Sequence, residues 1–192
     1  MTPDATTPQA ERRSPLHGRA LPDNAKVRAV AAPFATRFVL RGGPDVAEPV
    51  GAAFGPPPPL QPLRAAGVAS RAALWMGPDE WLLIAEDSAP EIGAKLEAAL
   101  AGVPHSLVDV SHQQCAIEVS GAGAARLLNA GVPLDLDVAA FPVGMVARTL
   151  LLKAEIVLWR REAERFRVET GRSFASYVAA VLYASAGDQE LC

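Results

Sequence analysis

The residues best suited to metal binding in this chain are its three histidines, His17, His105 and His112. His17 lies in a polar N-terminal stretch, whereas His105 and His112 are seven residues apart on a predicted strand. Because successive side chains of a strand point to opposite faces, this odd separation places the two rings on opposite sides. The chain has neither a His-Glu-x-x-His nor a Cys-x-x-Cys motif. The sequence therefore predicts no protein metal site.

Asp109, Ser111 and His112 include the residue types of a nucleophilic triad. A triad needs three converging side chains, however, and neighbours along a strand alternate between its faces. The chain also lacks a Gly-x-Ser-x-Gly nucleophile elbow. We therefore predict no catalytic residue here, and we expect the three side chains to hydrogen-bond a corner between two strands.

The run from Ser120 to Gly123, Ser-Gly-Ala-Gly, precedes a predicted helix, which is where glycine-rich loops bind phosphate. The run is incomplete as a dinucleotide motif, because Arg126 stands where Gly-x-Gly-x-x-Gly has its third glycine. It also lacks the Gly-Lys-Ser/Thr ending of a P-loop. A tight turn explains these glycines, so the sequence predicts no nucleotide cofactor in this chain.

The composition is that of a globular protein. Of the 192 residues, 50% are hydrophobic and 20% are charged, which supplies enough apolar side chain for a core. The net charge of -3 and the lack of a basic stripe argue against nucleic acid as a partner. We predict a cytoplasmic protein, because the chain has two cysteines and an N-terminus unlike a signal peptide. We also predict that it does not span a membrane, because it lacks a long apolar run.

Hydrophobic periodicity predicts an α+β fold with two small modules behind an N-terminal arm. Residues 1–28 are polar and rich in Pro, Thr, Ala and Arg, so we expect a flexible arm. In residues 29–105, and again in residues 106–192, the pattern predicts strand, helix, strand, strand, helix. This βαββα order is typical of ferredoxin-like modules. We expect a strand near residue 105, at the boundary between the two modules, to be shared by both of them.

Turn and capping signals predict the individual elements. The first module has predicted strands at 34–40, 72–76, 81–85 and 105–110, and helices at 45–54 and from Ser88. The second has predicted strands at 115–119 and 165–169, and helices after Gly123 and from Ser173. Residues 145–153 and 156–161 are predicted as two strands or as one long bent hairpin. The alternating residues 115–119 predict a half-buried strand. The charged residues 160–169 predict a solvated hairpin face or, alternatively, a charged partner surface.

Several short motifs, in order along residues 34–185, are similar to those of one family, the gamma subunits of heterotetrameric sarcosine oxidases. The set is more specific than any one of its members. It comprises Trp75-Met-Gly-Pro-Asp-Glu-Trp-Leu-Leu-Ile84, Val108-Asp-Val-Ser-His112, Ile117-Glu-Val-Ser-Gly121, Pro133-Leu-Asp-Leu-Asp137, Phe141-Pro-x-Gly144, Arg148-Thr149 and Arg172-Ser-Phe-Ala-Ser-Tyr177.

The resemblance implies a fold like that of the aminomethyltransferase of the glycine cleavage system. It also implies a complex that oxidatively demethylates sarcosine to glycine and forms hydrogen peroxide. The one-carbon unit leaves as formaldehyde or as methylenetetrahydrofolate. FAD, FMN, NAD, zinc and tetrahydrofolate are expected on other subunits, and alpha, beta and delta subunits are the expected partners. No catalytic residue carries over to this chain, which implies a structural gamma subunit.

Candidate partner contacts come from the motifs and from the tryptophans. Trp75 and Trp81 flank the turn that contains Pro78, and tryptophans beside a surface turn are frequent interface anchors, although they also fill cores. We predict interface roles for Trp75, Pro78, Trp81, His112 and Arg172.

Two other functions stay open at this point. One is a free-standing folate-binding, one-carbon protein of aminomethyltransferase-like fold, with folate contacts near His112. The other is an interaction module that uses the run Pro56–Pro59, for which a stiff surface loop is the simpler interpretation.

Overall fold

The computed structural model of the chain describes residues 13–87 and 89–190. The described residues form ten strands: β1 (Arg28–Ala31), β2 (Thr36–Gly42), β3 (Ala65–Val68), β4 (Arg71–Gly77), β5 (Glu80–Ala85), β6 (His105–Asp109), β7 (Gln114–Ser120), β8 (Val146–Leu151), β9 (Ala154–Glu162) and β10 (Arg165–Gly171). They also form four α-helices: α1 (Ala47–Phe54), α2 (Ile92–Ala99), α3 (Ala124–Asn129) and α4 (Ala175–Glu190). Short 3-10 turns, Pro44–Val46 and Arg172–Phe174, precede α1 and α4.

The strands make two antiparallel sheets of five. The first sheet has the order β3-β4-β5-β2-β6 and the second has the order β1-β7-β10-β9-β8. Without the edge strand β3, the first module follows the chain order and the sheet order of a ferredoxin-like unit. The second sheet repeats that arrangement, with β8 as the extra edge strand. The predicted α+β class with two modules is therefore confirmed.

Strand β1 interlocks the two modules. It lies at the start of predicted module 29–105, yet it pairs with β7 in the second sheet, at the place that β6 occupies in the first. The segment before it is packed as well, since Leu16 and Val27 are buried in the second core. The flexible arm predicted for residues 1–28 is therefore folded over residues 13–28, and residues 1–12 lie outside the described part. The module boundary at residue 105 stays a prediction.

Helices cover the outer face of each sheet, and the inner faces of the two sheets pack on each other. Strand β5 shows how the sequence achieves this: Trp81 and Leu83 belong to the core under α1 and α2. The alternate residues Leu82 and Ile84 belong to a separate cluster that includes Val157 of the second sheet. A strand that is buried on both faces needs a continuous apolar run, which explains residues 81–85.

Charged residues of the second sheet also face the first sheet. Glu118 of β7 is 8% exposed, and Arg167 and Glu169 of β10 are each 1% exposed. The prediction of a half-buried strand at 115–119 is therefore wrong, and so is the prediction of a solvated face for β10. Alternation of residue types along a strand does not distinguish a polar strand face that is exposed to water from a polar strand face that packs against another sheet. Ser88, the predicted start of the second helix, lies outside the described residues.

Candidate functional site

A cavity of about 370 Å³ lies where the N-terminal segment crosses the corner between β6 and β7. Residues 13–17 line one side of the cavity, and Phe34 and His112 line another. Arg172, at the start of the 3-10 turn before α4, also lines it. Two of the five predicted interface residues, His112 and Arg172, are thus brought together at one cavity.

Hydrogen bonds fix the corner beside this cavity. The backbone N–H of Ser111 donates to Oδ1 of Asp109 at 2.8 Å. The buried Oγ of Ser111 accepts the backbone N–H of Arg37 at 2.9 Å. The ring of His112 lies against that of Phe34, with 5.4 Å between ring centroids. The prediction that Asp109, Ser111 and His112 hydrogen-bond a strand corner is confirmed for Asp109 and Ser111, whereas the contact described for His112 is the one with the Phe34 ring.

Arg172 connects three segments around the cavity. Its backbone N–H donates to the carbonyl oxygen of Gln113 at 2.7 Å, which holds the entry to α4 beside β7. Its exposed side chain donates from Nη2 to the carbonyl oxygen of Arg13 at 3.2 Å. Burial raises the pKa of the neighbouring Cys115 thiol to about 11, with Glu169 adding to the shift, so this thiol stays neutral near pH 7.

The other three predicted interface residues lie at the β4–β5 hairpin. Trp81 is fully buried, and its Nε1–H donates to the carbonyl oxygen of Pro59 at 2.8 Å. The ring is therefore part of the core and is not available to a partner, contrary to the interface role proposed for it. Trp75 is half-buried, and Pro78 is exposed at the turn. These two remain candidate contacts.

A buried ionic cluster, for which the sequence has no local signal, joins the two sheets. Nε of Arg37, on β2, donates to Oε2 of Glu169, on β10, at 2.8 Å, and both side chains are 1% exposed. Arg167 donates to the same carboxylate at 2.6 Å and to Glu118 at 3.0 Å, and it also pairs with Glu86. Burial alone would lower the pKa of Arg167, but the surrounding carboxylates raise it above its usual value. Arg161 also pairs with Glu118, at 3.0 Å, so each of these charged side chains has an oppositely charged partner within the chain.

The motif around Pro133–Asp137 also has a structural role. Arg160, 2% exposed, donates from Nη2 to the carbonyl oxygen of Leu136 and from Nη1 to that of Phe141, both at 2.8 Å. Its guanidinium lies 4.5 Å from the centroid of the Phe166 ring. Burial lowers the pKa of Arg160. This arginine therefore holds the loop between α3 and β8 against the second sheet.

The glycine run between β7 and α3 is a tight turn, as predicted. Gly121 has φ +110°, and a Cβ placed there would lie 2.3 Å from the carbonyl oxygen of Lys26. The N–H of Gly123 donates to that same oxygen at 3.0 Å. The N-terminal segment thus fills the space in which a phosphate-binding loop would hold its ligand.

His105 lies apart from the cavity. Its Nδ1 is 2.7 Å from the carbonyl oxygen of Val103, and its Nε2 is 3.1 Å from Oε2 of Glu97. The bond to Val103, and then the bond to Glu97, raise the pKa of His105. Among the side chains that the structure describes, in residues 13–87 and 89–187, no three His, Cys, Asp or Glu are grouped to hold a metal ion. No helix in the described part of the chain is long and apolar enough to cross a membrane.

Solved structures with the same fold include a sarcosine oxidase. A chain of the heterotetrameric sarcosine oxidase from Corynebacterium sp. U-96, in complex with pyrrole 2-carboxylate, matches with a TM-score of 0.85 and 29% identity over 92% of this chain and 95% of that one. Aminomethyltransferase T of the glycine cleavage system from Bartonella henselae matches with a TM-score of 0.64 and 15% identity, over 88% of this chain and 47% of that one. The second likeness shows the fold alone, and it confirms the expected aminomethyltransferase-like architecture.

Sequence relatives agree with the structural match. Sarcosine oxidase subunit gamma from Corynebacterium sp. (strain P-1) is 33% identical over 150 residues, which are 75% of this chain and 72% of that protein. Sarcosine oxidase subunit gamma from Arthrobacter sp. is 38% identical over 130 residues, 66% of this chain and 64% of that protein. The family described as "Sarcosine oxidase, gamma subunit family" matches residues 43–188. The resemblance carried by the short motifs is confirmed, and the chain belongs to the sarcosine oxidase gamma subunit family.

Proposed function

We propose that this chain is the non-catalytic, structural gamma subunit of a cytoplasmic heterotetramer that oxidatively demethylates sarcosine to glycine. Oxygen is reduced to hydrogen peroxide, and the one-carbon unit leaves as formaldehyde or methylenetetrahydrofolate. The partners are alpha, beta and delta subunits, and these carry the FAD, FMN, NAD, zinc and tetrahydrofolate. The likeness to a chain of a heterotetrameric sarcosine oxidase supports this assembly.

One observation supports the structural role: Asp109 and Ser111, the glycine turn and the buried charged groups between the sheets all hold the fold. Asp109 and Ser111 bond the corner between the sheets. Arg37 and Glu169 pair between the sheets, and Gly121 closes a turn against the N-terminal segment. Side chains that make these bonds cannot transfer protons or bind substrate without breaking contacts that stabilise the fold. The folate-binding alternative has only fold likeness in its support and stays a prediction.

Assembly is the direct test. This chain is tagged and co-expressed with the alpha, beta and delta subunits, and the captured material is assayed for yellow colour and for sarcosine-dependent hydrogen peroxide. We expect a yellow, active complex, and we expect the chain alone to be colourless and inactive. Sarcosine oxidation by the purified chain, or an active complex of unchanged stability without it, would contradict the proposal.

Pro78 and Trp75 at the hairpin turn are the proposed partner contacts. Pro78 is exposed and Trp75 is half-buried, so Pro78→Asp should leave the fold intact and reduce recovery of the partners. Pro57→Asp, at an exposed proline of the Pro-rich run, is the matched comparison. Unchanged recovery with Pro78→Asp removes the hairpin as a contact, and a loss with Pro57→Asp alone assigns the contact to the Pro-rich run.

A further inference from the structure

The cavity beside the β6–β7 corner has an unusual electrostatic lining for a protein with a net charge of -3. Its basic lining residues are Arg13, His17, Arg37, His112 and Arg172. None of the described residues that line it is Asp or Glu. Clefts lined by one sign of charge concentrate ligands of the opposite sign, so this cavity favours an anion.

The cationic groups are not equally available. Arg37 is neutralised by Glu169, as described above. Arg172 uses one side-chain hydrogen bond, to the carbonyl oxygen of Arg13, and makes no ion pair among the described residues. Because a guanidinium carries five N–H donors in a planar fork, Arg172 keeps donors for a ligand. The thiol of Cys115 also lines the cavity and stays neutral near pH 7, so it supplies no competing charge.

The remaining lining defines the rest of the ligand. Phe34, 45% exposed, packs at a tilt of 40° against the ring of His112, and Leu16 and Pro33 add apolar surface. A volume of about 370 Å³ is within the range of small-molecule sites. A flat carboxylate fits this combination, because its oxygens match the fork of an arginine and its body can lie against the aromatic pair.

A second cavity, of about 540 Å³, serves as an internal contrast. It lies on the other side of the same Phe34–His112 pair, and Glu86, Asp87 and Asp109 line it. No Arg or Lys is among the described residues that line it, so it offers a carboxylate no guanidinium or ammonium partner. His112 therefore borders both cavities, whereas His17 and Arg172 border only the basic one.

We propose that the cavity between residues 13–17 and the β6–β7 corner is a binding site for a carboxylate, with Arg172 holding the two oxygens and the Phe34–His112 pair supporting the attached group. The carboxylate belongs either to a free small molecule or to an acidic side chain of a partner subunit. The residues proposed to bind the carboxylate belong to this chain, so the site can be tested without the proposed assembly.

Histidine NMR offers a selective test, since the full chain has three histidines. The ring-labelled chain is titrated with benzoate and, as the neutral comparison, with benzamide. Benzoate should shift the signals of His17 and His112 and leave His105 unchanged, because His105 does not line the cavity. Benzamide should shift none of them. Equal responses to the two probes, or a benzoate shift at His105 alone, would overturn the proposal.

Variants of Arg172 separate charge from structure. Arg172→Gln removes the charge, and we expect it to weaken benzoate binding by about tenfold or more. Arg172→Lys keeps the charge and should retain most of the affinity. Arg126→Gln, at an exposed arginine that lines none of the described cavities, should change nothing. Unchanged affinity in Arg172→Gln contradicts the proposal.

The source of the carboxylate is found by repeating the titration after assembly with unlabelled partner subunits. A benzoate response that persists assigns the site to a free small molecule. A response that is lost on assembly, with Arg172→Gln assembling less well than Arg172→Lys, assigns it to a partner's acidic side chain. If the benzoate response is lost on assembly but Arg172→Gln and Arg172→Lys assemble equally well, the proposed carboxylate site is contradicted for the complex. If the complex does not form, the NMR titration of the isolated chain with benzoate and benzamide decides the proposal.

Discussion

Replacing Glu169 with glutamine tests whether the ionic cluster holds the two sheets together. The carboxylate of Glu169 is 1% exposed and accepts hydrogen bonds from Arg37 Nε at 2.8 Å, Arg37 Nη2 at 3.3 Å and Arg167 Nε at 2.6 Å. Glutamine retains one acceptor oxygen but turns an NH₂ group toward guanidinium donors. The variant therefore removes the charge that neutralises Arg37 and disrupts bonds between β2 and β10.

The expected loss is large because one partner of a buried pair is left without its counter-charge. Such changes typically cost about 3–5 kcal/mol, whereas a deleted exposed ion pair costs about 0–1 kcal/mol. Glu162→Gln is the matched control: Glu162 is 67% exposed and pairs with Arg165 on the same hairpin at 3.3 Å. We expect Glu169→Gln to lower the free energy of unfolding by about 3–5 kcal/mol and Glu162→Gln by less than about 0.5 kcal/mol.

Urea unfolding, followed by circular dichroism and by tryptophan fluorescence, measures both variants. Arg37→Met is then added to Glu169→Gln to complete a double-mutant cycle. The second change should cost much less than Arg37→Met alone, because Arg37 has already lost its partner. If Glu169→Gln and Glu162→Gln destabilise the chain equally, or if the two changes at Arg37 and Glu169 are additive, the cluster does not hold the sheets together.

Three further predictions concern the core, the glycine turn and pH. Trp81→Ala should lower the free energy of unfolding by about 3–5 kcal/mol in a urea titration, and unchanged stability with weakened assembly would contradict its place in the core. Gly121→Ala should destabilise the chain more than Gly144→Ala in the same assay, since both glycines have positive φ but only Gly121 meets a backbone oxygen. Because His105 has a raised pKa in the folded chain, its stabilising contribution is complete below about pH 6.5 and is lost as pH rises through the folded pKa. NMR titration should find that pKa above the ordinary value and find it lowered by Glu97→Gln, and an unshifted His105 would refute the assignment.

Most of the local structure could be predicted from the sequence, because turns and apolar periodicity are local signals. The hairpin around Pro78 and the tight turn at Gly121 both form as expected. The helix predicted at 45–54 is present as the 3-10 turn Pro44–Val46 followed by α1. Each depends on residues within about ten positions of one another, where backbone preferences decide the outcome.

The errors concern long-range pairing. Residues 28–31 have no strong strand signal, and their pairing with β7, some 90 positions later, depends on the free edge that the second sheet offers. The charged alternation of β10 predicted a surface, yet Arg37, some 130 positions earlier, supplies the counter-charge that buries it. The cavity also depends on long-range packing. The sequence predicted His112 and Arg172 as separate interface residues, and the packed segment 13–17 completes the cavity that both of them line.

Several motifs that carry the family resemblance lie at joints of the fold, that is, at the connections between its sheets, helices and loops. Val108–His112 covers the passage from the first sheet to the second, and the backbone N–H of Arg172 bonds beside that passage to Gln113. Pro133–Asp137 lies in the loop that Arg160 holds. Residues at joints set how the two sheets meet, and therefore the shape of the surface that the chain offers to its partners.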